Sequence, residues 1–220
     1  MSLLTGCKCI GIDINKDSIK EAKRYAKANG VDKKVRFLIA NARNLPFKDE
    51  SFDYVWCSNV TSFIKNKERA ISEYLRVLKP NGTLIVIPIY YIKTPPKNIV
   101  DKVSEAIGSE IKIWNKSFWL DLFEKLSYEK HLPLQLYYFK DFCYLDRKKY
   151  IKGYIEQMMK KEHIREFNLR TKTLIKKRLY HFMSLFNKNL KYAGYSILLY
   201  QKRFENEETE LFLTGEYESD

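Results

Sequence analysis

Residues 9–13, Cys-Ile-Gly-Ile-Asp, decide the fold together with the helix predicted to follow them. Successive apolar residues without alternation are typical of a buried strand, and this strand ends at the carboxylate of Asp13. Asn15 or Asp17 can cap a helix that runs to Ala28. A carboxylate at the tip of a parallel strand faces the crevice where open α/β sheets bind ligands, and it can accept both hydroxyls of a ribose. The alternative is that Asp13 only caps the next helix.

Composition indicates a single globular domain. The chain has 220 residues, of which 45% are hydrophobic and 30% charged, which suffices for a substantial core. No apolar run approaches the roughly 20 residues that a membrane span needs. The N-terminal stretch before the first turn is too short for a signal peptide. The four cysteines lack metal-ligand spacing, so we expect reduced core thiols in a cytoplasmic protein and no metal site.

Charge is spread unevenly along the chain. The net charge is +13, although residues 204–220 contain seven acidic residues and no lysine or arginine. A basic body with an acidic C-terminal tail favours an anionic partner. The alternative is that lysine residues are spread over the whole surface and the positive charge has no specific partner.

The first half alternates between strands and helices. Apolar runs and helical periodicity predict strands at 9–13, 35–40, 52–58 and 83–87, and helices at 17–28 and 67–78. Short turns between them predict parallel βαβ packing, because parallel neighbours need crossover connections.

The second half contains an insertion. We expect helices at 98–107 and 117–128 and strands at 134–145 and 192–202, with a strongly basic helical insertion over 147–189. This insertion can be a lid over a substrate pocket. It can equally be a basic hairpin that rests on nucleic acid or an anionic membrane, or an ordinary helical pair packed on the sheet.

Four motifs in order resemble the class I S-adenosylmethionine-dependent methyltransferases, closest to the type 11 group related to quinone-biosynthesis enzymes. They are Ile-Gly-Ile-Asp at 10–13, Asn-Ala-Arg-Asn-Leu-Pro-Phe at 41–47, Ser-Phe-Asp-Tyr-Val at 51–55 and Arg-Val-Leu-Lys-Pro-Asn-Gly at 76–82. The resemblance implies a Rossmann-like α/β fold with a mostly parallel sheet and an antiparallel last strand. The match is strong over about 3–92, and its topology can be followed to 203.

The resemblance also implies the cofactor contacts. Asp13 would hold the ribose hydroxyls, and Ile14 would pack on the adenine of S-adenosylmethionine. Asn41 stands where the family usually has an aspartate that bonds the adenine amino group, a role that an amide oxygen can also fill. Ala42 would offer its backbone N–H to a ring nitrogen.

Ser58 and Asn59 would line the methionine part of the cofactor and the reacting methyl. No residue earns a catalytic assignment. Residues 58–61 read Ser-Asn-Val-Thr, where enzymes that methylate amides and adenine carry an Asn/Asp-Pro-Pro-Tyr/Phe motif.

One departure concerns the family's first strand and glycine-rich turn, which have no counterpart in this sequence. That strand normally lies between the strands at 9–13 and 52–58, so an N-terminally truncated sheet would expose two edges with unpaired backbone groups. Either the sequence is an N-terminally shortened version of a longer protein, or a partner chain, a homo-oligomer or a rearranged sheet fills the gap.

These observations lead to one functional hypothesis with two alternatives. We expect a methyltransferase-like domain over 1–203 that transfers a methyl group from S-adenosylmethionine to a small-molecule acceptor. The alternatives are a non-catalytic relic that binds RNA or another anion through 147–189, and an RNA methyltransferase.

Overall fold

A computed structural model of the chain describes residues 1–129 and 134–203, apart from the side chains of Glu162 and His163. The acidic tail predicted at 204–220 lies outside the described residues. The helices are α1 (Ser2–Thr5), α2 (Lys16–Ala28), α3 (Lys67–Val77), α4 (Lys97–Ile107), α5 (Lys116–Glu129), α6 (Ile151–Met159), α7 (Glu162–Arg165) and α8 (Leu169–Leu190). The strands are β1 (Cys9–Asp13), β2 (Val35–Ile39), β3 (Phe52–Ser58), β4 (Leu78–Ile87), β5 (Ile89–Tyr91), β6 (Leu134–Cys143) and β7 (Ala193–Lys202).

Asparagine side chains start the helices that follow the parallel strands. The Asn15 side chain accepts hydrogen bonds from the backbone N–H groups of Asp17 and Ser18, at 2.7 and 3.4 Å, and so caps α2. Asn66 caps α3 through the N–H of Arg69 at 2.9 Å. These bonds satisfy N–H groups that have no partner within the helix. Asn15, and not Asp13, is therefore the cap.

The strands form two sheets. β1 and β2 pair in parallel as a two-stranded sheet. The second sheet has the order β3-β4-β7-β5, with β6 also paired to β7. In it β3 and β4 are parallel, and β7 runs antiparallel to its neighbours. The Rossmann-like α/β fold with an antiparallel last strand is confirmed.

Two details of the strands differ from expectation. β4 begins at Leu78 and not at Thr83, because the turn at 80–82 lies within the extended segment. Asn81 adopts a left-handed conformation with φ of 58°. A Cβ on Gly82 would lie 2.8 Å from the Lys79 carbonyl oxygen, so this position needs glycine. The short strand β5 was not predicted; three residues are too few for a periodic signal.

The core lies between the second sheet and helices α3 and α5. Helix α3 presents an apolar stripe that includes fully buried Ile71 and Leu75, and α5 adds Trp119 and Phe123. The prediction of core thiols is correct only for Cys57, since Cys143 is exposed and the other two cysteines are half-buried.

An open slot separates the two sheets. On the β2 side of β1, the Cys9 N–H and the Asp13 carbonyl form hydrogen bonds. Because backbone groups alternate in direction along a strand, those of Ile10 and Ile12 face the other edge of β1, away from β2. β3 bonds to β4 through the N–H of Asn59, which by the same period leaves the groups of Trp56 facing away from β4. Within residues 1–129 and 134–203, no strand pairs with either edge. The two unpaired edges expected from the sequence motifs are thus present among the described residues.

The insertion over 147–189 is helical and comprises α6, α7 and most of α8. It is anchored at its base: the Asn187 side chain accepts the Arg147 N–H at 2.8 Å, and Asn189 accepts the Tyr91 hydroxyl at 2.9 Å. Among the described residues, no helix combines the length and apolar character required to cross a membrane.

Candidate functional site

The ends of three parallel strands meet at the open slot. A cavity of about 180 Å³ lies there, between Ile12 of β1, Ala42 after β2 and Ser58 at the end of β3. Ligand pockets typically measure about 300–1,000 Å³. This cavity is therefore too small to enclose a nucleoside cofactor, which would lie along the open strand ends instead. The other lining residues are Ile10, Leu45, Phe47, Phe52, Tyr54, Val55, Trp56, Cys57, Val60, Tyr74 and Val77.

Asp13 is exposed at the carboxyl end of β1. One of its oxygens, Oδ1, accepts the backbone N–H of Asn15 at 2.8 Å, which holds the side chain in place. No described group contacts Oδ2, so one carboxylate oxygen points to solvent with its hydrogen-bonding capacity unused. This arrangement suits a polar ligand with hydroxyl donors at the strand tip.

The residues predicted to contact adenine lie beside Asp13. Ile14 is 73% exposed and so presents an apolar surface to solvent beside Asp13. Asn41 is exposed, and its Oδ1 accepts the backbone N–H of Arg43 at 3.0 Å and the Arg43 Nε at 3.4 Å. That oxygen is engaged within the loop, so an adenine amino group would have to compete with Arg43 for it. Ala42 is half-buried and packs against the core.

Asn59 is the most constrained residue of the predicted set. It has a left-handed backbone conformation, with φ of 62°, and its N–H donates to the Ile87 carbonyl at 2.8 Å. Its Oδ1 atom is buried without a hydrogen-bond partner. A strained non-glycine residue and an unsatisfied buried acceptor are each associated with functional sites. The acceptor lies directly after half-buried Ser58, at the end of β3.

Two residues of α3 hold the loop after β2, and sequence reasoning missed them. Glu73 is buried, with 3% exposure, and accepts the Leu45 N–H at 2.7 Å. Arg76 donates to the carbonyls of Leu45 and Phe47 at 3.0 and 2.8 Å. The pair thus pins the segment that carries Asn41 and Ala42. The signal available in the sequence is the i, i+3 spacing of the two charges.

Hydrogen bonds and ion pairs hold Glu73 and Arg76 together. Arg76 contacts Glu73 through two nitrogens, at 2.8 and 3.0 Å, and it also forms an ion pair with Asp49 at 2.7 Å. These hydrogen bonds lower the pKa of the Glu73 carboxyl below its ordinary value and raise the pKa of Arg76. Both groups are therefore charged at neutral pH. A charged pair with all its bonds satisfied makes a rigid support for the loop.

A larger cavity of about 540 Å³ lies beside β5 and the start of α5. Its walls include Tyr91 from β5, and Trp114 and Phe118, whose rings stack 3.8 Å apart. Asp121 and Lys93 supply opposite charges at its rim. This volume falls within the range of small-molecule pockets. The same Tyr91 bonds Asn189 at the base of the helical insertion.

The arrangement fits a nucleoside cofactor at the strand ends. Asp13 offers an unused carboxylate oxygen, Ile14 an exposed apolar surface and Asn59 an unpaired acceptor, all directly after strands β1 and β3. Asn41 fits less well, because Arg43 occupies its oxygen. The predicted residues that border one cavity are Ala42 and Ser58; the other four do not line it.

The N-terminal part of the chain is similar to known methyltransferase domains. Residues 1–86 match the family model described as a methyltransferase domain. An uncharacterised protein of Haemophilus influenzae is 33% identical over 122 residues, which make up 54% of this chain and 49% of that protein. Norajmaline N-methyltransferase of Rauvolfia serpentina is 35% identical over 112 residues, 47% of this chain and 38% of that enzyme. The chain thus spans about half, or less, of the length of these curated relatives.

Solved structures share the fold over most of the described chain. The MccD protein superposes with a TM-score of 0.69 at 20% identity, covering 92% of this chain and 82% of the other. Geranyl diphosphate C-methyltransferase from Streptomyces coelicolor A3(2), solved with S-adenosyl-L-homocysteine, superposes with a TM-score of 0.55 at 15% identity, covering 91% and 64%. The resemblance stated from the sequence motifs is confirmed. The alternative of a non-catalytic relic is not favoured.

Proposed function

We propose that this chain is a class I S-adenosylmethionine-dependent methyltransferase that transfers a methyl group from S-adenosylmethionine to a small-molecule acceptor. The observation that carries the proposal is the position of Asp13, Ile14 and Asn59 at the ends of β1 and β3: Asp13 and Ile14 are exposed, and the buried Oδ1 of Asn59 has no hydrogen-bond partner among the described residues. Fold alone does not fix a reaction, so the argument depends on these residues.

Asp13 and Ile14 would hold the nucleoside in this proposal. The free Oδ2 of Asp13 accepts the ribose hydroxyls, and Ile14 covers one face of the adenine ring. The Ala42 backbone N–H would contact the ring. The Asn41 side chain would help only if its oxygen exchanges the 3.4 Å contact with the Arg43 Nε for the adenine amino group, while it keeps the bond from the Arg43 backbone N–H.

Ser58 and Asn59 would bind the methionine part. The ammonium of that part carries donors only, and the buried Oδ1 of Asn59 is an acceptor that lacks a donor. When bound, the cofactor supplies a methyl group on a positively charged sulfur, and the protein contributes mainly alignment of the acceptor. No described side chain is assigned as a general base.

The acceptor would occupy the 540 Å³ cavity, with the insertion as its lid. The stacked pair Trp114 and Phe118 gives a flat apolar wall, and Asp121 gives a polar contact. Tyr91 lines this cavity and donates a hydrogen bond to Asn189 at the base of the insertion. Movement of the insertion would therefore displace Tyr91 in the cavity wall. A lid there would exclude water during transfer.

Titration calorimetry with S-adenosylhomocysteine tests the proposal. Asp13→Ala should weaken binding by about 10- to 100-fold, the effect of losing hydrogen bonds to a charged group worth about 1.5–3 kcal/mol. Asp101→Ala, which removes an exposed carboxylate from α4, is the matched control and should bind as the wild type does. Equal affinity in wild type and Asp13→Ala would overturn the assignment.

A further inference from the structure

Two thiols lie in contact at the start of β1, outside every residue assigned above. The sulfur atoms of Cys7 and Cys9 are 3.4 Å apart, and both side chains are half-buried. Alternate residues of an extended segment point to the same face, which brings the pair together. Cα atoms two residues apart along a strand lie within the separation that a disulfide can bridge.

The surroundings make the two thiols unequal. A hydrogen bond from the Thr5 side chain, together with the contact to Cys9, lowers the pKa of the Cys7 thiol. Burial raises the pKa of the Cys9 thiol. Cys7 therefore forms the thiolate more readily, and the thiolate is the form that reacts with oxidants. Cys9 is the neighbour that can resolve an oxidised Cys7.

The local backbone also holds the pair in place. The Cys7 N–H donates to the Thr5 hydroxyl at 3.3 Å, and Gly6 makes the left-handed turn that ends α1. The Cys9 N–H is fixed by the Lys34 carbonyl at 3.0 Å. Neither cysteine approaches a third metal-ligating side chain among residues 1–129 and 134–203, so the pair is not part of a metal cluster there.

We propose that Cys7 and Cys9 form a peroxide-responsive dithiol that closes to a disulfide at the start of β1. The Cys7 thiolate attacks one peroxide oxygen, the O–O bond breaks, and Cys7 becomes a sulfenic acid while the other oxygen leaves as water. The Cys9 sulfur then attacks the Cys7 sulfur, the S–OH bond breaks, and a second water leaves. Two thiols and one hydrogen peroxide thus give one disulfide and two waters.

The experiment is alkylation mapping of the whole chain after treatment with hydrogen peroxide. The protein is denatured, blocked with N-ethylmaleimide and digested, and adducts at each cysteine are measured by mass spectrometry. The proposal expects Cys7 and Cys9 to lose their adducts together and to regain them together after reduction with dithiothreitol. Cys57 and exposed Cys143 should remain alkylated at the same peroxide dose.

Two variants separate the steps. In Cys9→Ser the sulfenic acid at Cys7 has no resolving thiol, so it should be trapped by dimedone. In the matched control Cys143→Ser the Cys7–Cys9 pairing should be unchanged. Independent loss of adducts at the two positions, or oxidation of Cys143 before Cys7, would overturn the proposal. The result does not depend on the proposed methyl transfer.

Discussion

Arg76 and Glu73 are not among the residues predicted to touch the cofactor, yet they fix the loop that carries two of them. Arg76 uses its planar fork to reach Glu73, Asp49 and the carbonyls of Leu45 and Phe47 together. A lysine supplies one point charge in place of this fork. The position of the loop after β2 is thus determined largely by one guanidinium.

Arg76→Lys should destabilise the protein and weaken cofactor binding together. We expect a loss of about 1–3 kcal/mol in the free energy of unfolding, because loop carbonyls and a buried carboxylate lose hydrogen bonds. Urea denaturation measures it. Arg24→Lys alters an exposed ion pair with Glu21 and should change stability by less than about 0.5 kcal/mol. Equal effects of the two substitutions would contradict the role of Arg76.

Glu73 should make the free energy of unfolding depend on pH in the acid range. Its pKa is lowered from an ordinary 4.5 in the folded state by Arg76. The unfolded chain therefore takes up the proton first as the pH falls, and the stability that Glu73 contributes above about pH 4.5 is lost as the pH drops through the folded pKa. Glu73→Gln should flatten this acid limb in denaturation curves measured from pH 7 to pH 3. Parallel curves for both proteins would show that Glu73 is not involved.

At the scale of elements, the slot between β1 and β3 leaves two strand edges without partners in the described chain. Trp56 and Tyr54 of β3 are 51% and 64% exposed beside backbone groups with no strand partner in the described chain. Open apolar edges favour pairing with another strand. This supports the proposal that a partner chain, including a second copy of this one, completes the sheet.

The slot predicts self-association that depends on β3. Sedimentation velocity across a concentration series should show oligomers of the wild type and fewer oligomers of Trp56→Lys, because a charge on an edge strand opposes pairing. The control Tyr128→Lys changes an aromatic residue on α5 that is even more exposed, at 84%, and should associate as the wild type does. A monomer at every concentration for all three proteins would contradict pairing between copies.

Sequence patterns predicted the elements well where packing is periodic. β1 and β3 were placed at the bounds observed, and α3 was predicted from its apolar stripe. The paired start of β4 was missed because the Pro-Asn-Gly turn at 80–82 signals a break, while Asn81 adopts the left-handed conformation that keeps the chain beside β3.

At the scale of the whole molecule, the ends of β1, β2 and β3 meet at the slot between the two sheets. Asp13 and Ser58 were predictable from their positions after apolar runs. The burial of the Asn59 oxygen and the hydrogen bonds from Arg76 to the loop after β2 depend on contacts between residues distant in sequence. No local sequence pattern encodes such contacts. The insertion was predicted as basic and helical, and its proposed role as a lid depends on the bond between Tyr91 and Asn189.

Hydrogen exchange with and without S-adenosylhomocysteine tests the central claim most directly. The account predicts that the ligand slows exchange at three separate segments, residues 13–15, 41–43 and 58–60, because one cofactor would span the ends of β1, β2 and β3. Segments at the opposite end of these strands, such as 7–9 and 33–35, serve as internal controls and should be unchanged. Protection elsewhere, or no protection in a folded chain, would contradict a cofactor site at the strand ends.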